Sequence, residues 1–280
     1  MTVKKPRDRY ISIGNINTHY WDEGDSESVI VLVHGINASV AFWENNIFEF
    51  AKKHRVIAVD LVGFGDTDKP SLSYDINVLA QFLKSFLDAL KIKKCCLAGH
   101  SLGGAVCVQF TLSFPSVVEK LVLVSSVGFD RKLPLPLRLL TLPTVGKALV
   151  RLTKKVVAKA IRLYTYNKAC ISDEFIENIR RINQLPGAQH TLISLLQNNA
   201  NFGGIRKRVL NPIMQQLEKL TIPVLIIWGR EDKLLSVKGA YKAVQLIPGA
   251  ELYIFAKCGH IPQMEHTDKF NQLVEEFFDA

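Results

Sequence analysis

Gly99-His100-Ser101-Leu102-Gly103-Gly104, entered from the apolar stretch Cys95-Cys96-Leu97-Ala98, decides how the rest of this chain is read. It fits Gly-x-Ser-x-Gly at the end of a predicted buried strand that runs into a predicted helix, Leu102 to Ser113. That is the context in which the pattern has chemical meaning. Gly99 and Gly103 carry no Cβ, so strand and helix can approach closely and the backbone can turn sharply enough to leave the Ser101 hydroxyl at the tip. Five letters recur by chance in many chains. The strand before and the helix after make Ser101 a candidate nucleophile rather than an idle serine on a glycine-rich turn.

Strand-like runs recur outward from this turn, at Tyr10–Ile13, Thr18–Trp21, Val29–Val33, Val56–Val59, Cys95–Ala98, Leu121–Val124, Val224–Trp228 and Leu252–Phe255. The inner ones are continuously apolar, as expected of strands covered on both faces. Helical patterns at Asp75–Leu90, Ser101–Ser113, Val237–Leu246 and Asp268–Phe278 separate them. The alternation predicts an α/β fold with a doubly wound, mainly parallel sheet. It stops after Val124 and resumes at Ile222-Pro223-Val224, so Ser125 to Leu220 reads as an insertion of helices and loops punctuated by prolines. An insertion at the carboxyl ends of parallel strands roofs the edge where such sheets bind ligands.

A serine hydroxyl needs a base to take its proton, and the base needs a third group to hold its tautomer. His260, in Cys258-Gly259-His260-Ile261-Pro262 just past the last strand, is the candidate base. Asp232, in Trp228-Gly229-Arg230-Glu231-Asp232, is the candidate acid, with Glu231 beside it as the alternative. The order Ser, Asp, His is the one this architecture uses. An oxyanion hole needs two backbone N–H groups. Leu102 at the start of the helix supplies one candidate, and Ile36 in His34-Gly35-Ile36-Asn37 supplies the other. His34 and His100 read as packing residues, and His19, His54, His190 and His266 as ordinary surface histidines. The loop Asp60-Leu61-Val62-Gly63-Phe64-Gly65-Asp66-Thr67-Asp68 lacks the Gly-Lys-Ser/Thr that phosphate binding requires, and reads as support for the rim of the site.

With 280 residues, 48% of them apolar, the chain can bury one full core and carry a lobe besides. Five cysteines without paired spacing point to buried thiols in a reducing compartment. The charged first ten residues lack the apolar core of a secretory signal, and no stretch is long and apolar enough to span a bilayer. The expectation is a cytoplasmic protein.

Taken together, these motifs resemble the α/β-hydrolase superfamily. His34-Gly35 with Trp43 is similar to its H-G-x…W opening, and Asp60 to Thr67 to its D-x-P-G-x-G-x-S loop, with Val62 for the proline and Thr67 for the serine. Gly99 to Gly104 matches the nucleophile turn, Gly229 to Asp232 the acid turn, and Cys258 to Glu265 the G-H-x-P-x-x-E histidine loop. The resemblance implies an α/β-hydrolase fold: a mostly parallel eight-stranded sheet flanked by helices, with an inserted helical cap. The boundaries follow as core over 1–128 and 216–280 and cap over 129–215. Ser101 argues against the dehalogenases and epoxide hydrolases, which use aspartate at this turn. The likeness is to serine esterases and lipases that form an acyl-enzyme, and also to hydrolases that cleave carbon–carbon bonds in ring-fission products, where Arg180 or Arg181 would hold a substrate carboxylate. Members with these activities need no metal and no organic cofactor. A ligand-binding protein without turnover fits an intact Ser-Asp-His set poorly.

The net charge of +9 is uneven: residues 129–215 carry +11 and the remainder −2. Lys147, Arg151, Lys154, Lys155, Lys159 and Arg162 recur at helical spacing, with Val145, Leu149, Leu152, Val156, Ala160 and Leu163 on the other face. Such a helix packs on the core and solvates its lysines, lies on an anionic membrane surface, or docks an acidic carrier protein, as in the family's carrier-bound methyl ester esterases. Nucleic acid is not an expected partner, because no recognition motif accompanies the charge.

Overall fold

The computed structural model describes residues 5–144 and 154–280. Strands β1 (Arg9–Ile13), β2 (Ile16–Glu23), β3 (Val29–Val33), β4 (Arg55–Val59), β5 (Cys95–His100), β6 (Val118–Val124), β9 (Val224–Gly229) and β10 (Glu251–Phe255) form one sheet. A separate two-stranded hairpin, β7 (Ala200–Asn201) with β8 (Gly204–Ile205), interrupts the insertion, which the sequence showed only as helices and loops. The sheet runs in the order β1-β2-β4-β3-β5-β6-β9-β10. It is parallel except at β2, which pairs antiparallel with both neighbours.

Helices α1 (Ile47–Phe50), α2 (Ile76–Ala89) and α3 (Leu102–Ser113) precede β6 or abut it. Helices α4 (Leu135–Leu140), α5 (Lys154–Tyr164), α6 (Asp173–Ile182), α7 (Ala188–Asn199) and α8 (Lys207–Met214) lie between β6 and β9. Helices α9 (Lys238–Leu246), α10 (Pro262–Glu265) and α11 (Thr267–Asp279) close the chain. Alternate residues along each inner strand feed two separate cores. Val31, Val33, Leu97, Leu121 and Ile226 pack with α2, α3 and α9 on one face. Ile30, Leu32, Cys96, Val122 and Leu225 pack with α1 and α11 on the other. This double coverage is why the inner strands read as unbroken apolar runs. It also buries Cys95, Cys96, Cys107 and Cys258, while Cys170 is half-buried; all five are free thiols.

The insertion meets both cores, α6 through Phe175, Ile176, Ile179 and Ile182, and α7 through Leu192, Leu195 and Leu196. Lys147, Arg151, Val145, Leu149 and Leu152 of the proposed basic stripe lie outside the described residues. In α5 the face assigned from the sequence is rotated. Val157, Ala160, Ile161 and Tyr164 line an internal cavity, whereas Val156 and Leu163 are 48% and 51% exposed. The cavity, not the sheet, sets which side of this helix turns inward. Among the described residues, no helix is long and apolar enough to cross a membrane.

Candidate active site

Ser101 sits between β5 and α3 with φ +54° and ψ −116°. Non-glycine residues rarely adopt positive φ, and such strain persists only where surroundings enforce it. Here the Ser101 N–H donates to the Val124 carbonyl at 2.9 Å, and its carbonyl accepts from Gly104 at 3.1 Å and Val127 at 3.0 Å. The flanking glycines are needed for contact as well as for turning. A Cβ on Gly99 would lie 2.5 Å from the Gly103 carbonyl oxygen, and one on Gly103 would lie 2.5 Å from that of His34.

The acid and base candidates meet. His260 Nδ1 lies 2.7 Å from Asp232 Oδ2, and the Asp232 side chain is fully buried. Its Oδ1 accepts the N–H groups of Leu234 at 2.8 Å and Leu235 at 2.9 Å, which aims the carboxylate. Glu231 is engaged elsewhere, its Oε2 accepting the Cys258 N–H at 2.9 Å. The bond to Asp232 occupies Nδ1 and leaves Nε2 as the nitrogen available to a hydroxyl. Nε2 is buried without a hydrogen-bond partner among the described residues, and His260 and Ser101 line the same cavity. Catalytic hydrogen bonds often tighten only when substrate is bound.

The loop after β3 lies against the nucleophile turn. A Cβ on Gly35 would sit 3.0 Å from Ser101 Cβ and 3.2 Å from His100 Nδ1, so only glycine lets it come this close without a shift. The N–H groups of Ile36 and Leu102 donate to no acceptor among the described residues, and both residues border the cavity beside Ser101. Two free amides at a helix start and an adjacent loop can stabilise a negative oxygen.

His34 and His100 have structural partners. His34 Nδ1 donates to the Gly35 carbonyl at 2.7 Å and its Nε2 accepts the Leu61 N–H at 3.1 Å. Burial holds His34 below the ordinary histidine range. His100 Nε2 donates to the His260 carbonyl at 2.9 Å, its ring stacks on Phe42, and burial pushes it well below the ordinary range. Burial disfavours charge on both rings, and both tie together the loops that bear the site.

The loop at Asp60 does the same from beneath. The fully buried Asp60 accepts the N–H groups of Val40 at 2.7 Å and Asp66 at 2.8 Å. Thr67, in place of the usual serine, donates its hydroxyl to the Asp60 carbonyl at 2.8 Å and accepts the His19 N–H at 2.9 Å. His19 and His54 are not surface residues: they are 2% and 6% exposed. His19 Nδ1 lies 2.7 Å from Asp60 and its Nε2 2.9 Å from Asp8. Burial disfavours its charge, but the Asp60 and Asp8 carboxylates more than offset that and hold its pKa above the ordinary value. His54 contacts Ser28 at 2.9 Å and Asp279 at 3.3 Å. No local pattern marks these carboxylate and hydroxyl partners: Asp8 and Asp60 lie 11 and 41 residues from His19, and Ser28 lies 26 from His54. His19, Asp60 and Asp66 bring metal-binding atoms within 4.8 Å of one another. Asp60 is already held by backbone N–H groups, and both Asp66 oxygens are held by Arg181 at 2.7 and 2.6 Å, so a cation would have to displace that arginine.

Glu265, quoted in the histidine-loop motif but given no role from sequence, proves central to it. It is 6% exposed. Its Oε1 accepts the Gly259 N–H at 2.9 Å, and its Oε2 accepts those of Tyr166 at 2.7 Å and Asn167 at 2.8 Å. The His260 N–H itself donates to the Tyr164 carbonyl at 2.8 Å. The histidine loop is thus fastened to the chain that leaves α5.

Two cavity lobes converge on Ser101. One, of about 700 Å³ with its opening included, is walled by side chains such as Leu133, Leu196, Ile205, Val209 and Leu210. The other, of about 870 Å³, contains Asn37, Tyr164, Thr165, Asn183 and His260 among apolar residues. Ile36, Ser101, Leu137 and Leu234 border both. Among the described residues, no lysine, arginine, aspartate or glutamate lines either lobe. Arg180 and Arg181 are not placed to hold a substrate carboxylate: Arg180 bonds Glu177 and Gln184, and Arg181 bonds Asp66 and Asn178. On α6 it is Ile179 and Asn183 that turn inward.

Residues 28–267 match the model of the alpha/beta hydrolase fold family, and the chain belongs to that family. A protein of Mycobacterium tuberculosis (strain ATCC 25618 / H37Rv) whose function is not characterised is 32% identical over 264 residues, covering 91% of this chain and 76% of that protein. The 2-hydroxy-6-oxo-2,4-heptadienoate hydrolase of Pseudomonas putida F1 is 31% identical over 282 residues, covering 97% of this chain and 96% of the enzyme. Among solved structures, the meta-cleavage product hydrolase CumD of Pseudomonas fluorescens IP01, a variant complexed with acetates, superposes with a TM-score of 0.82 at 26% identity, covering 98% of each chain. These relatives are named as hydrolases, and this chain is a hydrolase of the same family.

Proposed function

We propose that this chain is a serine hydrolase that cleaves an uncharged carboxylic ester with an apolar acyl group, within a core over 1–128 and 216–280 roofed by a cap over 129–215. Ser101 Oγ attacks the carbonyl carbon as His260 Nε2 takes its proton, and Asp232 orients the imidazole and stabilises its charged form. The N–H groups of Ile36 and Leu102 receive the negative oxygen. Collapse expels the alcohol with the proton from His260, and water attacks the acyl-enzyme by the same route to release the acid. The observation that carries this reading is the cavity: two lobes meet at Ser101, and the described residues that line them are mostly apolar, with no lysine, arginine, aspartate or glutamate among them. A substrate carboxylate buried there would meet no lysine or arginine among the described residues, and an unpaired buried charge is costly.

A second reading is carbon–carbon hydrolysis of a ring-fission product, and the names of the relatives favour it over ester cleavage. The same serine would attack a ketone, and the departing carbon would leave as a conjugated anion that must be protonated. The dienoate in those relatives' names carries a carboxylate, for which the described residues of this cavity offer no lysine or arginine. Purified chain and a Ser101→Ala variant, assayed on p-nitrophenyl esters of graded acyl length and on a 2-hydroxy-6-oxo-dienoate, separate the two. Ester turnover that is lost with Ser101 supports the first reading. Dienoate turnover exceeding ester turnover overturns it in favour of the second.

A further inference from the structure

We propose that the outer surface of α4, α5 and the β7–β8 turn is a docking face for an anionic lipid bilayer. Helix α5 is apolar on both sides. Its inner side lines the cavity through Val157, Ile161 and Tyr164, yet Leu163 remains 51% exposed on the outer side, next to the exposed Lys159 and Arg162. Tyr166, just beyond the helix, is 52% exposed. Leu137 of α4 borders the same cavity lobe, and two residues before it Leu135 is 51% exposed. At the β7–β8 turn Phe202 is 50% exposed and carries Arg138 over its ring at 5.2 Å. The elements that wall the cavity therefore turn apolar tips outward beside Lys159, Arg138 and Arg162, the last of which also pairs with Asp173 at 3.6 Å.

Charge chooses the partner. Residues 129–215 carry +11, and no acidic residue occurs between Asp130 and Asp173. Cations interspersed with leucine and aromatic tips match an interface of anionic headgroups over acyl chains. An acidic carrier protein would satisfy the cations but leave the apolar tips without a hydrocarbon layer to enter. Docked by this face, the protein would set its cavity walls against the bilayer surface.

The test is co-sedimentation of the full chain with phosphatidylcholine vesicles, with and without phosphatidylglycerol. Expected is binding only to the anionic vesicles, reversed at about 1 M salt, where charges are screened beyond about 3 Å. A Lys159→Glu/Leu163→Glu variant should partition at least about tenfold more weakly, since each cation near an anionic surface is worth about fivefold. Neither side chain lines the cavity, and an unchanged circular dichroism melt shows that the variant is folded. A matched Lys238→Glu/Tyr241→Glu variant on α9, which also exposes an aromatic residue among lysines, should bind like the parent. Absence of binding to anionic vesicles overturns the proposal. So does equal loss in the α9 variant, or a Lys159→Glu/Leu163→Glu variant that loses affinity for acyl carrier protein while its vesicle binding is untouched.

Discussion

Glu265 Oε2 accepts the Tyr166 N–H at 2.7 Å, which joins the loop carrying His260 to the end of α5. The other oxygen takes the Gly259 N–H at 2.9 Å, so one carboxylate sets the spacing between cap and histidine loop. Gly259 has no room for a side chain, because a Cβ there would collide with the Tyr164 carbonyl. Glu265→Gln keeps the shape but turns an NH2 toward backbone donors. The expected result is a fall in kcat of about tenfold or more, on the scale at which small misplacements matter, at temperatures where the variant is still folded. The pH profile of kcat/KM should move with it, since the effect passes through His260. A lower melting temperature with unaltered kcat and pH profile would reduce Glu265 to a purely structural part.

Two neighbouring carboxylates give a sharper contrast. Asp232 contacts His260 Nδ1 at 2.7 Å, whereas Glu231 caps the Cys258 N–H at 2.9 Å. Asp232→Asn should lower kcat by about 10³–10⁴, because the amide no longer selects the tautomer with a free Nε2. Glu231→Gln should cost less than about tenfold, as it loses only one charge-assisted bond to a loop. Steady-state kinetics on the preferred substrate decides, and a reversed ranking would exchange the roles of the two acids.

The sheet was legible because its signal is local: burial on both faces leaves continuous apolar runs, and the glycines at 99, 103 and 104 mark the sharp turn. The pairing of Asp232 with His260 was legible because each follows a strand end, where the topology leaves little choice. What the sequence did not carry was partnership across distance. His19 gives no local sign of Asp60, 41 residues away, nor Glu265 of Tyr166, 99 residues away. The inner face of α5 was misread for a related reason. Periodicity reports an apolar stripe, but this helix has apolar residues on two sides, and only the cavity distinguishes Val157 from Val156.

Buried neutral histidines make stability depend on pH in a definite direction. Burial lowers the pKa of His34, and pushes that of His100 well below the ordinary 6.5. Below pH 6.5 the unfolded chain binds protons that these folded rings refuse. The stability they contribute is therefore present above pH 6.5 and lost as pH falls below it, by up to about 1.4 kcal/mol per pH unit for each group. His19 has the opposite sign. Its raised pKa gives stability that is complete below 6.5 and fades as pH rises through the raised value, so it adds no slope on the acid side. Urea midpoints between about pH 5 and 6.5 should rise with pH, and His100→Gln should flatten that rise. An unchanged slope would mean that His100 is protonated in the folded protein.

Gly35→Ala tests the oxyanion geometry with a single methyl group. The added Cβ would lie 3.0 Å from Ser101 Cβ and 3.2 Å from His100 Nδ1, so one of these must yield by a few tenths of an ångström. Gly35 is not among the residues with positive φ, so alanine brings no backbone strain. The displacement falls on the loop that presents the Ile36 N–H and on the turn that presents Ser101. Loss of one oxyanion donor costs about 10²–10³ in kcat, and a partial displacement should cost at least about tenfold. The loss should fall on kcat more than on KM, because only the transition state uses that amide. A variant with parental kcat would place the second donor somewhere other than Ile36.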